Sequence, residues 1–205
     1  PIKIAILAMG GEGGGVLANW LIDMAESNGY VAQMTSVPGV AQRTGATIYY
    51  IEMFPETALA PGQLPVLAQM PVPGDVDLVI ASGLIEAGRA DVNSMRRPVR
   101  STPIASSNAA RSAAKSLVSS DMRAMAERTG SVISAVMFGA VAGAGILPFA
   151  RDRFEQTIAQ GGVGVAASLR AFATAFDAGA GRIIAPEGPP PASRRTRRSN
   201  SSGSS

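Results

Sequence analysis

Apolar residues along this 205-residue chain fall into two rhythms, and the rhythm changes at glycines. A continuous run, Ile2 to Ala8, ends just before Gly10 and predicts a buried parallel strand. Helical spacing follows: Val16, Leu17, Trp20, Leu21 and Met24 share one face of a helix over 16–27, which Asn28-Gly29 closes as a C-cap pair. Tyr30–Val37 and Ala46–Phe54 read as the second and third strands, so the chain opens with a β-loop-α-β unit that favours a right-handed crossover. The Pro- and Gly-rich stretch 55–74 predicts an extended loop with an edge strand at Val66–Met70. Asp77–Ser82 is the next buried strand, and helices are predicted over 83–95, 109–128, 151–160 and 163–178.

Residues 131–150 carry no charge and are rich in Gly and Ala. Their length suits a membrane span, and Gly139-x-x-x-Gly143 is a helix-pairing pattern in lipid. Small residues over 140–145, Pro148 and the soluble-looking amphipathic helices that follow favour a buried central helix instead. No internal repeat is present. The expected class is α/β: a Rossmann-like, mostly parallel sheet flanked by helices, with a helical C-terminal part. The domain spans 1–182, and 183–205 form a disordered Ser/Arg/Pro-rich tail.

Composition narrows the chemistry. With no Cys the chain has no disulfide, thiolate metal site or iron–sulfur ligand, and with no His it has no imidazole acid/base chemistry or Ser-His-Asp triad. The net charge of +3 belongs to the tail, where Arg194, Arg195, Arg197 and Arg198 face Glu187 alone. Removing these from 18 basic and 15 acidic residues leaves 14 of each, so the body is neutral. The tail has no aromatic residue for base stacking, and neither nucleic acid nor membrane is an expected partner. The N-terminus lacks a signal-peptide pattern, which makes the cytoplasm the expected compartment.

Two loops carry the candidate chemistry. The first, Gly10-Gly11-Glu12-Gly13-Gly14-Gly15, links strand to helix, where a backbone can approach an anion closely. Ala8 stands where the first glycine of a dinucleotide fingerprint belongs, Ser36-Val37-Pro38 offers no acidic residue for a ribose, no P-loop Lys follows, and Glu12 would repel a pyrophosphate. A tight turn with a ligand-facing or partner-facing edge, formed by Gly10, Gly11, Glu12, Gly13 and Gly14, is the better reading. The second loop presents Gln42, Arg43, Thr44 and Gly45 between two strands. Arg43 could grip a carboxylate or phosphate in bidentate fashion, or make an ordinary intramolecular ion pair.

The turn Gly10 to Leu17, taken with Ser36-Val-Pro-Gly-Val-Ala-Gln-Arg-Thr-Gly-Ala-Thr-Ile-Tyr-Tyr50, resembles the gamma-type domain of 2-oxoacid:ferredoxin oxidoreductases, in particular the indolepyruvate:ferredoxin oxidoreductase beta subunit. Segments 74–77, 86–89, 130–148 and 161–172 continue the resemblance over most of 1–180. Glu12 stands where that family usually has Gln, and a segment near 96–108 is shorter than its counterpart, which implies a missing or replaced strand. The resemblance implies a split enzyme that decarboxylates an aryl 2-oxoacid on thiamine diphosphate, passes electrons through iron–sulfur clusters to ferredoxin and forms an acyl-CoA. Thiamine diphosphate, magnesium and the clusters would belong to an alpha-type partner, and CoA would be a co-substrate. This chain would hold no cofactor, no metal and no catalytic residue, and would be inactive alone. Gln42 and Arg43 would position a substrate carboxylate or CoA phosphate, or lock the partner interface. A stand-alone binding module for a small acid or nucleotide, or a structural assembly subunit, are the alternatives.

Overall fold

A computed structural model describes residues 1–38, 46–72, 75–82, 114–119, 122–161 and 164–179. Five strands form one sheet in the order β2-β3-β1-β4-β5: β1 Ile2–Met9, β2 Tyr30–Pro38, β3 Ala46–Pro55, β4 Val76–Ala81 and β5 Ala114–Ser119. β1 is parallel to β4, and β4 to β5, whereas β3 is antiparallel to both β1 and β2. Four strands therefore point one way and β3 alone runs against them. The strand predicted at the end of the β-loop-α-β unit is present, but β3 inserts between it and β1.

The helices among the described residues are α1 Gly14–Glu26, α2 Met122–Thr129, α3 Ile133–Ala144, α4 Arg151–Gln160 and α5 Val165–Gly179. α1 buries Leu17, Ala18, Leu21, Met24 and Ala25 against the sheet, while Val16, expected on that face, is 47% exposed. Gly29 takes a left-handed φ of 77° and the Asn28 side chain donates to Met24 O at 2.7 Å, which closes the helix as anticipated.

Alternation along β3 divides the sheet into two faces. Ile51 and Met53 join the main core beneath the helices, and Tyr50 packs on the opposite face with Ala5, Leu7 and Val79. α3 is the centre of the main core, buried on nearly all sides from Ser134 to Val141. Its Phe138 meets Trp20, Phe154 and Phe172 at ring separations of 5.5, 4.8 and 6.1 Å, so the few aromatics are concentrated in one place. Gly139 and Gly143 let α3 approach α5 so closely that an added Cβ would overlap the carbonyl oxygens of Phe172 and Phe176. The Gly-x-x-x-Gly pattern thus serves a helix pair in a protein core, and among the described residues no helix is long and apolar enough to cross a membrane.

Two expectations are corrected. Within the helix predicted over 109–128, the described residues form β5 followed by α2. Alanines at 109, 110, 113 and 114 favour helix locally, but Leu117 and Val118 pair with Val79 and Ile80 and give β4 a neighbour. The edge strand predicted at Val66–Met70 does not form. That segment crosses the second face of the sheet as a strap, with Ala68 N–H donating to Glu52 Oε2 at 2.7 Å and Thr35 Oγ1 to Gln69 O at 2.7 Å. Glu52 is 3% exposed, also accepts the Tyr50 hydroxyl at 2.6 Å, and lies 3.9 Å from Lys3 Nζ. The predicted helix 83–95, the short region 96–108 and the tail 183–205 lie outside the described residues.

Candidate functional site

The parallel strands β1 and β4 end side by side, Leu7 opposite Ala81, and Ser82 N–H donates to Leu7 O at 3.1 Å. Ligands of open α/β sheets gather beyond such carboxyl ends, and the first candidate loop leaves from this edge. Gly11 and Gly13 adopt left-handed φ of 85° and 73°, which makes the tight turn into α1 possible. Gly14 is needed for close packing instead. A Cβ there would lie 2.7 Å from Ala8 Cβ and 2.8 Å from Tyr49 Cε2, so its lack of a side chain seats the start of α1 on the sheet.

Glu12, 8% exposed, is turned inward. Its Oε2 accepts Met9 N–H at 3.1 Å and the Ser82 hydroxyl, and its Oε1 accepts Arg123 at 2.8 Å. Burial pushes the carboxyl pKa up, but the hydrogen bonds from Ser82, Arg123 and Met9, with the Arg123 charge, outweigh it and hold the group below its ordinary value. A carboxylate thus ties the loop to the end of β4 and to α2.

In front of this loop opens a cleft of about 1020 Å³. Gly10–Gly13, Val16 and Trp20 form one side; Arg123, Ala126 and Glu127 of α2 form another. The floor comes from Gly130–Ser134 at the start of α3, and from Gly164, Ala167 and Ser168 at the start of α5. Two longer helices therefore present their N-termini here, and Val132 at the head of α3 supplies no capping side chain. Ser131 Oγ and Ser134 Oγ are buried with no hydrogen-bond partner, and Ser134 is only 1% exposed. Buried hydroxyls are ordinarily satisfied, so two orphans beside one cleft are exceptions that lack a partner within the described residues. Gly13 faces the same point: a Cβ on it would come 3.1 Å from Ser134 Cβ and 3.2 Å from its Oγ.

Of the residues singled out by the sequence, Gly10, Gly11, Glu12 and Gly13 line this cleft and Gly14 packs behind it. Gln42, Arg43, Thr44 and Gly45 lie outside the described residues. Their flanking strands do place the ends of that loop, since Pro38 pairs with Thr47 and Ala46 with Met9, beside the entry to the Gly-rich turn. Ser82, Arg123, Ser131 and Ser134 were not anticipated. A signal existed for the last two: Ser131 and Ser134 follow Gly130 at a helix start, where hydroxyls meet free backbone N–H groups. Among the described residues no group of three or more His, Cys, Asp or Glu is placed to hold a metal.

No curated protein matches this chain. Several solved structures share its fold. Pyruvate oxidoreductase subunit PORC from Thermotoga maritima superposes with a TM-score of 0.58 at 16% identity, covering 86% of this chain and 95% of that one. The gamma subunit of keto/oxoacid ferredoxin oxidoreductase from Geobacter sulfurreducens gives 0.59 at 13% identity, covering 89% and 100%. A 2-oxoglutarate:ferredoxin oxidoreductase from Magnetococcus marinus gives 0.60 at 12% identity, where 91% of this chain spans only 33% of the other. The family model for pyruvate ferredoxin/flavodoxin oxidoreductase matches residues 3–178, and the chain belongs to that family, with the fold of its gamma-type subunits.

Proposed function

We propose that this chain is the non-cofactor subunit or domain of a thiamine-diphosphate-dependent 2-oxoacid:ferredoxin oxidoreductase acting on aryl 2-oxoacids such as indolepyruvate, and that its cleft receives a phosphate-bearing part of CoA. The observation that carries the reading is the pair of orphaned hydroxyls, Ser131 and Ser134, at an uncapped helix N-terminus in the wall of the cleft. Neutral donors fixed in a buried wall suit a phosphoryl oxygen, because they bind it without the desolvation of a second charge. The Magnetococcus enzyme of the same fold is described with 2-oxoglutarate, CoA and succinyl-CoA bound, which supports CoA over other phosphate carriers.

The chain's own donors do not suit the remaining cofactors. Without Cys it offers no iron–sulfur ligand, and its sequence lacks the Gly-Asp-Gly…Asn pattern that grips magnesium and diphosphate in thiamine enzymes. Electron transfer to ferredoxin and decarboxylation therefore fall to an alpha-type partner. Gln42, Arg43, Thr44 and Gly45, on a loop whose strand ends adjoin the Gly-rich turn, complete the CoA or substrate side or the partner interface. The domain occupies 1–182, the body of the protein is cytoplasmic, and the chain alone does not turn over.

Copurification with a thiamine- and cluster-bearing partner, followed by CoA-dependent reduction of a dye acceptor with indolepyruvate, tests this. The reading predicts activity only when both chains are present. A chain that associates with no such partner and binds a free nucleotide more tightly than CoA instead supports the stand-alone binding module.

A further inference from the structure

The cleft that the CoA reading relies on contains three ionisable side chains among the described residues, and two of them are acidic: Glu12 and Glu127 against Arg123. Its mouth is therefore formally negative by one, an odd charge for a site that receives phosphate. Glu12 is the decisive member. Three donors surround its carboxylate, and the one cationic donor is Arg123, whose guanidinium is paired at 2.8 Å although the side chain is 63% exposed on the surface of α2. Glu127 has no comparable grip: it is exposed, one turn further along the same helix.

We infer that Glu12 is an affinity-limiting residue, whose carboxylate holds the Arg123 guanidinium in an internal ion pair and so withholds it from an anionic ligand in the cleft. The inference rests on the proposed binding of CoA and deepens it. A bidentate guanidinium is the strongest phosphate grip the cleft has available, and it is already engaged. Among the described residues the uncharged donors Ser131 and Ser134 are left to hold the ligand, while Glu12 repels it. Gln at position 12 fits the same space: its carbonyl oxygen can accept Met9 N–H and the Ser82 hydroxyl as Glu12 Oε2 does, but its NH2 then faces Arg123 donor to donor, with no charge to hold the guanidinium. Both consequences of the change, loss of a negative charge and loss of its hold on a positive one, act in the same direction.

The test is titration calorimetry of the full chain with CoA at low salt, using wild type, Glu12→Gln, Arg123→Met and the double variant, with circular dichroism to verify folding. Glu12→Gln is expected to bind CoA about tenfold tighter, an advantage that shrinks at high salt and is reduced to about threefold in the Arg123→Met background, where only the loss of the Glu12 charge remains. Arg123→Met alone, on an exposed helix surface, is expected to weaken binding by about two- to threefold, because its guanidinium is already occupied and only its neutralisation of Glu12 is lost. Unchanged or weaker binding by Glu12→Gln overturns the inference, as does full tightening in the Arg123→Met background. A tenfold loss in Arg123→Met overturns it even if Glu12→Gln fails to fold. Binding by Glu12→Gln with none by wild type supports it. If neither binds CoA, the CoA reading itself falls, and the inference with it.

Discussion

Replacing Gly139 with Ala tests the frame of the cleft through the sign of its effect. The added methyl would overlap Phe172 O and crowd Phe172 C and Cα, all backbone atoms of α5 that have no rotamer by which to move aside. Overpacking of this kind costs up to about 3 kcal/mol. Ala in a helix interior gains back about 1 kcal/mol over Gly, which leaves a net loss of about 2 kcal/mol. For a chain of this size that is a fall in Tm of roughly 4–8 °C. A glycine facing solvent or lipid would show the reverse, a gain of about 1 kcal/mol. Urea melts followed by circular dichroism, with a thermal shift alongside, read the difference. α3 and α5 both bring their N-termini to the cleft, so CoA affinity should fall with stability. A Gly139→Ala protein as stable as wild type, or more so, would refute the close α3–α5 contact.

Four more outcomes follow. Glu52→Ala leaves the Tyr50 hydroxyl and Ala68 N–H without their acceptor on the second face of the sheet, and should cost about 3 kcal/mol. Hydrogen exchange should then rise in the strap around residues 66–70 while β1 and β4 stay protected. Because the folded pKa of Glu12 is lowered from 4.5, its contribution is present above that value and is lost as the pH falls below it, so Glu12→Gln should flatten the acid limb of a stability profile. For Lys3, hydrogen-bonded to Asp75, the folded pKa is raised from 10.5, and its contribution is present below that value and lost as the pH rises above it; Lys3→Met checks this limb. Arg43→Ala, in the assembled complex, should lower 2-oxoacid-dependent dye reduction with the melting temperature unchanged; unaltered kinetics would remove Arg43 from the site.

Much of the scaffold was legible in the sequence because its signals are local. The run Ile2–Ala8, the spacing of Leu17, Leu21 and Met24, the Asn28-Gly29 stop and the uncharged stretch around Phe138 each read correctly from neighbours in the chain. What failed depends on distant partners. Ala114–Ser119 resembles helix until β4 is known to need a strand beside it, and Val66–Met70 resembles a strand until Glu52 is seen to capture Ala68 N–H. The site divides in the same way. Glycines at 10–13 announce a turn, but Glu12 was readable only as a charge in an awkward place. Its partners Ser82 and Arg123 are 70 and 111 residues away. Ser131 and Ser134 carry no charge and lie in an apolar stretch; only the fold reveals that their hydroxyls are buried without partners.

Ser134→Ala tests the central claim most directly, because a ligand site and a structural hydroxyl respond oppositely. Removing a buried hydroxyl that has no partner should leave the chain as stable as wild type or up to about 1 kcal/mol more stable. If that hydroxyl donates to CoA, calorimetry of the same protein should show affinity reduced by at least about tenfold, the lower end of the worth of one hydrogen bond to a charged acceptor. Unchanged CoA affinity in a stable Ser134→Ala chain would contradict the assignment of the cleft.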